Sequence, residues 1–169
     1  FVFRPILHEP GARTVMGRRY PEDGVDQASA ILRDLARHPS TGRHVARRVA
    51  AHFVADTPPS TLTDRLETAF NTSQGDLKTV ARVLVESPEI WDPAPKKVKS
   101  PYEFIVSAYR AAGAQPGRTR QFAGIMTALG QQPFRAPSPE GWPDDGPSWA
   151  SPDGLVRRLG FAQDFAGEQ

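Results

Sequence analysis

The sequence predicts a mainly α fold: a multi-helix orthogonal bundle of about seven helices, with a short extended N-terminal arm and a long Trp/Pro-rich loop. Three observations carry this. Apolar residues recur at helical spacing in one segment after another. Proline and glycine, 17 and 14 of 169 residues, gather at the ends of those segments and in the loop. Helix-capping residues stand at several of the starts.

The chain reads as a single helical domain over residues 1–169, divided into an arm (1–23), a helical core (24–130), the loop (131–150) and a C-terminal helix (151–166). The arm lacks helical periodicity and carries the strand-like runs Phe1-Val2-Phe3 and Thr14-Val15-Met16 around Pro10-Gly11, which suits an extended hairpin. From Val25 the period becomes helical. Val25, Ala28, Leu32, Leu35 and Ala36 mark the inner face of a first helix that His38-Pro39 ends. A second, over about Thr41 to Asp56, would turn Val45, Val49 and Phe53 inward beside Ala46, Ala50 and Val54, until Pro58-Pro59. A third uses Leu62, Leu66, Ala69 and Phe70 and closes at Gly75. Asp76 caps a fourth, with Leu77, Val80, Ala81 and Leu84 inward. Residues 88–99 form a connector whose Lys96, Lys97 and Lys99 are expected to face solvent.

Ser100-Pro101-Tyr102-Glu103 opens a fifth helix. Serine is the cap, proline fills the first helical position, and glutamate completes a capping box. Ile105, Ala108, Tyr109 and Ala112 are its stripe, ended by Gly113. Phe122, Ile125, Met126 and Leu129 define a sixth, ended by Gly130. After the loop, Ser151-Pro152 opens a last helix with Leu155, Leu159, Ala162 and Ala166 inward.

A net charge of +2 makes no general demand for an anionic partner. The cations are uneven, however. Between Arg33 and His52 there are five arginines and three histidines against the single acid Asp34. The absence of cysteine excludes disulfides, thiolate nucleophiles and cysteine-based metal sites. No run is long and apolar enough for a membrane span. The chain starts at Phe1 without methionine, inside an apparent strand, so an N-terminal portion of the same protein is expected to precede it and to contact it.

Several motifs occur in a recognisable order: His8-Glu9-Pro10-Gly11 with Thr14-Val15-Met16-Gly17, Leu35-Ala36-Arg37-His38-Pro39, and His52-Phe53-Val54-Ala55-Asp56. Lys97-Val98-Lys99-Ser100-Pro101-Tyr102-Glu103-Phe104 follows, then Leu129-Gly130-Gln131, Pro133-Phe134, Gly141-Trp142-Pro143 and Trp149. Together they resemble the C-terminal part of the bacterial domain-of-unknown-function 1800 family. Glu9 stands where members more often have aspartate, and Asp144-Asp145 replaces small residues after Gly-Trp-Pro. The resemblance implies an exported protein, periplasmic or extracellular, and a protein partner from a sulfatase-like family of unknown function 1501.

Four groupings could carry chemistry. His8 and Glu9 could serve as a base or a ligand pair; against this, neighbours in a strand point to opposite faces, and Glu9 could simply pair with Arg13. Asp144 and Asp145 could be the acid pair of a hydrolase acting on envelope or extracellular polysaccharide, although adjacent carboxylates rarely oppose each other across a bond. Arg13, Gln131, Arg135, Trp142 and Trp149 offer aromatic faces and polar groups for a glycan or protein ligand; alternatively the tryptophans cap the core and the prolines stiffen the loop. His44, Arg48 and His52 share one helical stripe suited to an anion, or to plain solvation. The two histidines lie roughly 12 Å apart along the axis, too far for one zinc ion. No metal or cofactor is expected. Nucleic acid is disfavoured, because aromatic residues do not interleave with the basic ones. The expected function is a non-catalytic binding or scaffold module, with the polysaccharide hydrolase as the alternative.

Overall fold

The computed structural model describes residues 1–92, 94, 97–115, 117 and 119–167. The fold is mainly α, with eight α-helices and one two-stranded sheet among the described residues. The chain falls into two compact units: Phe1–Phe53 with Thr57–Trp91, and Val54–Asp56 with Asp92–Gln169.

In the first unit a 3-10 turn, Pro5–Leu7, precedes β1 (Arg13–Val15) and β2 (Arg18–Tyr20). These pair antiparallel with Arg13 opposite Tyr20 and Val15 opposite Arg18. The two-residue connection is Met16-Gly17, both at positive φ (52° and 77°), the tight turn whose twist matches a hairpin. The hairpin therefore lies one segment later than the apolar run at Phe1 suggested. Four helices follow: α1 (Gly24–Ala36), α2 (Pro39–Phe53), α3 (Ser60–Thr72) and α4 (Leu77–Glu86). Pro39, expected as a stop, is instead the first residue of α2, where its missing N–H costs nothing.

Gly42, Ala46 and Ala50 are the buried row of α2, with Val45 and Val49 half-buried beside it. Small residues let two backbones approach closely. A Cβ on Gly42 would meet Asn71 Oδ1 at 2.6 Å and Phe70 Cδ1 at 2.8 Å. This corrects the expected face of α2, and Phe53, expected inside, is 57% exposed. Leu62, Leu66, Ala69 and Phe70 of α3 are buried as expected. On α4, Val80 and Leu84 are buried while Leu77 and Ala81 are exposed. Asp76 caps it, its carboxylate accepting from the N–H groups of Lys78 and Thr79.

The largest correction is α1. Gln27, Ile31, Asp34 and Leu35 face inward, so Val25, Ala28, Leu32 and Ala36 form an outward stripe, Leu32 being 66% exposed. Polar anchoring chooses the inner side: Gln27 Nε2 donates to the carbonyls of Gly11, Tyr20 and Pro21. Tyr20 donates its hydroxyl to Asp34 at 2.7 Å.

The second unit contains α5 (Pro101–Ala111), α6 (Thr119–Ala128), the single turn α7 (Gly146–Trp149) and α8 (Pro152–Gly167). The capping box at Ser100 and Glu103 is formed in both directions. Ile105, Tyr109, Met126 and Leu129 are the core, with Phe104, Phe122, Phe161 and Phe165 packed on it. Phe165 meets Tyr109 edge-on at 4.8 Å and stacks on Phe161 at 5.5 Å. α8 thus turns Phe161 and Phe165 inward, and Leu155, Leu159, Ala162 and Ala166 are exposed. The expected stripe exists but faces outward, because the phenylalanines bury more area.

Candidate functional site

The Trp loop is fastened within the second unit by Asp56 and Lys97. Asp56 Oδ2 accepts the buried backbone N–H of Gly146 at 2.6 Å, and Oδ1 accepts Lys97 Nζ at 3.0 Å. Lys97 also donates to the carbonyl of Asp144 at 2.9 Å and lies 3.4 Å from its carboxylate. The Gly146 N–H holds the Asp56 carboxyl below its ordinary value; desolvation opposes this, and the hydrogen bond and charge of Lys97 reinforce it. Lys97, expected in solvent, is thus half-buried and paired with two acids. Lys99 is exposed and donates to Ser107; Lys96 lies outside the described residues.

Asp145 caps α7, accepting from the N–H and hydroxyl of Ser148, both at 2.9 Å. Trp149 is 9% exposed, and its indole N–H donates to the carbonyl of Pro143 at 2.8 Å. Trp142 is half-buried, its ring 6.1 Å from that of Trp149 and tilted by 47°. Gln131 accepts the N–H of Tyr102 at the start of α5. Arg135 and Phe134 are exposed, Phe134 completely, at a φ of 59°. Asp144, Asp145, Gln131 and Trp149 therefore each carry a structural bond, and what this half of the loop offers to a ligand is Phe134-Arg135.

In the first unit Glu22, which the sequence reading missed, gathers the arm. Its carboxylate accepts from His8 Nε2 at 2.9 Å and from the N–H groups of Gly11 and Gly24. Desolvation pushes the Glu22 pKa up, but the two N–H groups and His8 outweigh it and hold the carboxyl below its ordinary value. His8 thus finds its acid at Glu22 rather than Glu9. Glu9 instead pairs with Arg13 at 3.0 Å, and Arg13 also donates to the Glu9 carbonyl at 2.9 Å. Phe3 completes the clasp, with its ring 5.4 Å from His8 and 3.6 Å from where a Gly24 Cβ would stand. Only the Glu-Asp-Gly sequence before α1, a helix-start signal, could have pointed to Glu22.

His44, Arg48 and His52 lie on the exposed side of α2 beside Arg43 and Arg47. Arg43 pairs with Glu67 at 3.2 Å, and His52 meets Phe53 edge-on at 4.7 Å. Among the described residues no group of three or more histidines or acids has the placement to hold a metal ion, and no helix is long and apolar enough to cross a membrane.

Compared with known families, the chain matches the one described as protein of unknown function (DUF1800) across residues 1–169. It belongs to that family. No curated protein and no solved structure matches it. The motifs that carried the resemblance now have physical roles in this member. The aspartate of His52-Phe53-Val54-Ala55-Asp56 and the lysine of Lys97-Val98-Lys99-Ser100-Pro101 meet, and they hold the segment after Gly141-Trp142-Pro143.

Proposed function

We propose that this DUF1800 member is a non-catalytic binding or scaffold module of an exported protein, and that it works by docking another polypeptide. The outward apolar face of α8 carries the reading. Leu155, Val156 and Leu159, the last 66% exposed, stand on a helix whose other side already packs on the core. The outward stripe of α1, with Val25 and Leu32, repeats the pattern in the first unit. Exposed apolar stripes of this kind are typical of interaction surfaces. A further portion of the same protein and a sulfatase-like partner of family 1501 are the polypeptides this reading names. A glycan is the weaker ligand, because Trp149 is buried and its indole N–H is spent on Pro143.

The hydrolase alternative needs a carboxylic acid held protonated near neutral pH beside a second carboxylate. The chemistry around the loop runs the other way. Lys97 lies against both Asp56 and Asp144, and Asp56 is depressed. Calorimetric titration of the chain with a family-1501 protein and with a panel of envelope polysaccharides, alongside an assay of reducing-end release, tests the proposal. Protein binding lost in Leu159→Lys, with no sugar release, is expected. Sugar release abolished by Asp144→Asn would overturn it.

A further inference from the structure

Phe134 occupies a position that glycine would fill at lower energy. The turn Gln132–Arg135 is closed by the Arg135 N–H on the Gln132 carbonyl at 3.2 Å. Pro133 takes its second place and Phe134 its third, with φ at 59°. Positive φ at that place favours glycine or asparagine, and a bulky residue there is held against its preference. The turn is nevertheless well anchored. Gln131 donates its N–H to the Met126 carbonyl at 2.9 Å and accepts from Tyr102, while Leu129 is buried in the core. So a rigid turn holds a phenyl ring wholly in solvent beside the exposed Arg135.

The first unit contains a groove that suits this turn. Between α3 and α4 lies an open groove of about 550 Å3, lined by Asp64, Thr68, Ala69, Thr72, Thr79 and Val83. The Thr72 and Thr79 hydroxyls are spent on Thr68 O and Asp76, so these two offer methyl groups. Arg65, also in the lining, is neutralised by both carboxylate oxygens of Glu89 at 2.7 and 2.8 Å. The exposed acid Asp64 is then the charge the groove presents to an incoming cation.

We propose that the Phe134-Arg135 turn of one copy of this chain docks in the α3–α4 groove of a second copy, the phenyl ring over Ala69 and Val83 and the guanidinium on Asp64. Apolar shape and opposite charge favour this occupant, since aromatic and arginine side chains are the usual anchors of protein interfaces. Turn and groove are different surfaces, so the contact is head-to-tail, and repeated contacts either close into a ring or extend as a chain. A single turn in a shallow groove is a small interface, with a Kd on the order of 100 μM. This goes beyond the docking role of α1 and α8 and stands or falls separately from it.

Sedimentation equilibrium of the 169-residue chain from about 10 μM to 1 mM, spanning that Kd, tests the proposal. The average mass should rise with concentration above that of the monomer. Phe134→Gly should weaken association about thirtyfold or more, as loss of an anchor does. The same variant should melt no earlier than the parent, because glycine prefers that backbone. Arg135→Asp and Asp64→Arg should each weaken association, and the double variant should recover it. A chain that stays monomeric, or that assembles equally well as Phe134→Gly, overturns the proposal.

Discussion

Replacing Asp56 by alanine removes the acceptor that holds the Trp loop, and the structure sets the size of the effect. The buried N–H of Gly146 loses its partner at 2.6 Å, and an unsatisfied buried N–H costs about 1–3 kcal/mol. Lys97 loses one acid but keeps the Asp144 carbonyl and carboxylate, so its share is small. The Asp56 side chain is 31% exposed, and water entering the gap recovers part of the loss. The sum is about 2 kcal/mol, which for a chain of this size lowers Tm by about 4–8 °C. Opening of the loop should also become easier by roughly thirtyfold, read as faster amide hydrogen exchange at Gly146 and Trp149. Exchange at α5 should accelerate no more than the fall in global stability requires. If Asp56→Ala leaves both the Gly146 amide and the urea midpoint at parent values, the latch does not hold the loop, and the reasoning fails.

Acid should act through the same carboxylates. Asp56 and Glu22 lie below their ordinary values of 3.8 and 4.5, so the stability they lend is complete above those values and is lost as pH falls through the folded-state pKa. Protection of the arm and Trp-loop amides, taken relative to their intrinsic exchange rates at each pH, should stay flat from neutral pH to about pH 5 and fall below about pH 4, the loop response vanishing in Asp56→Ala. Gly42→Ala should lower stability by about 1–3 kcal/mol in urea unfolding, because its methyl would overlap Asn71 and Phe70 across the α2–α3 contact. Ile105→Ala should cost about 2–5 kcal/mol, whereas Leu159→Lys on the outward face should change the unfolding free energy, read from urea denaturation, by less than about 0.5 kcal/mol.

Local signals were legible in the sequence where one residue and its near neighbours decide the outcome. The Ser100–Glu103 capping box, the Asp76 cap and the stripe of α3 all stand where the spacing put them. Periodicity says that a helix has an apolar stripe; it does not say which stripe meets the core when two exist. On α8 the pair Phe161 and Phe165 takes the inside and leaves Leu155 and Leu159 out. On α1 the inside belongs to Gln27 and Asp34, whose partners Gly11, Tyr20 and Arg18 lie in the arm. On α2 the glycine and alanine row wins because close backbone approach outweighs the size of Val45 and Phe53. The sites follow the same division. Arg13 with Glu9 is a short-range pair and was readable. The link from Lys97 through Asp56 to Gly146 spans three distant segments, and no spacing rule announces it.

We propose that docking falls to the outward apolar faces because the Trp loop is fastened into the fold through Asp56 and Pro143. Acrylamide quenching of a variant with Trp149 as its single tryptophan (Trp91→Phe, Trp142→Phe), with and without the envelope polysaccharides, tests this most directly. The account predicts a protected indole, unmoved by any polysaccharide, that becomes quenchable in Asp56→Ala. A freely quenched Trp149 whose emission shifts with one polysaccharide would contradict it.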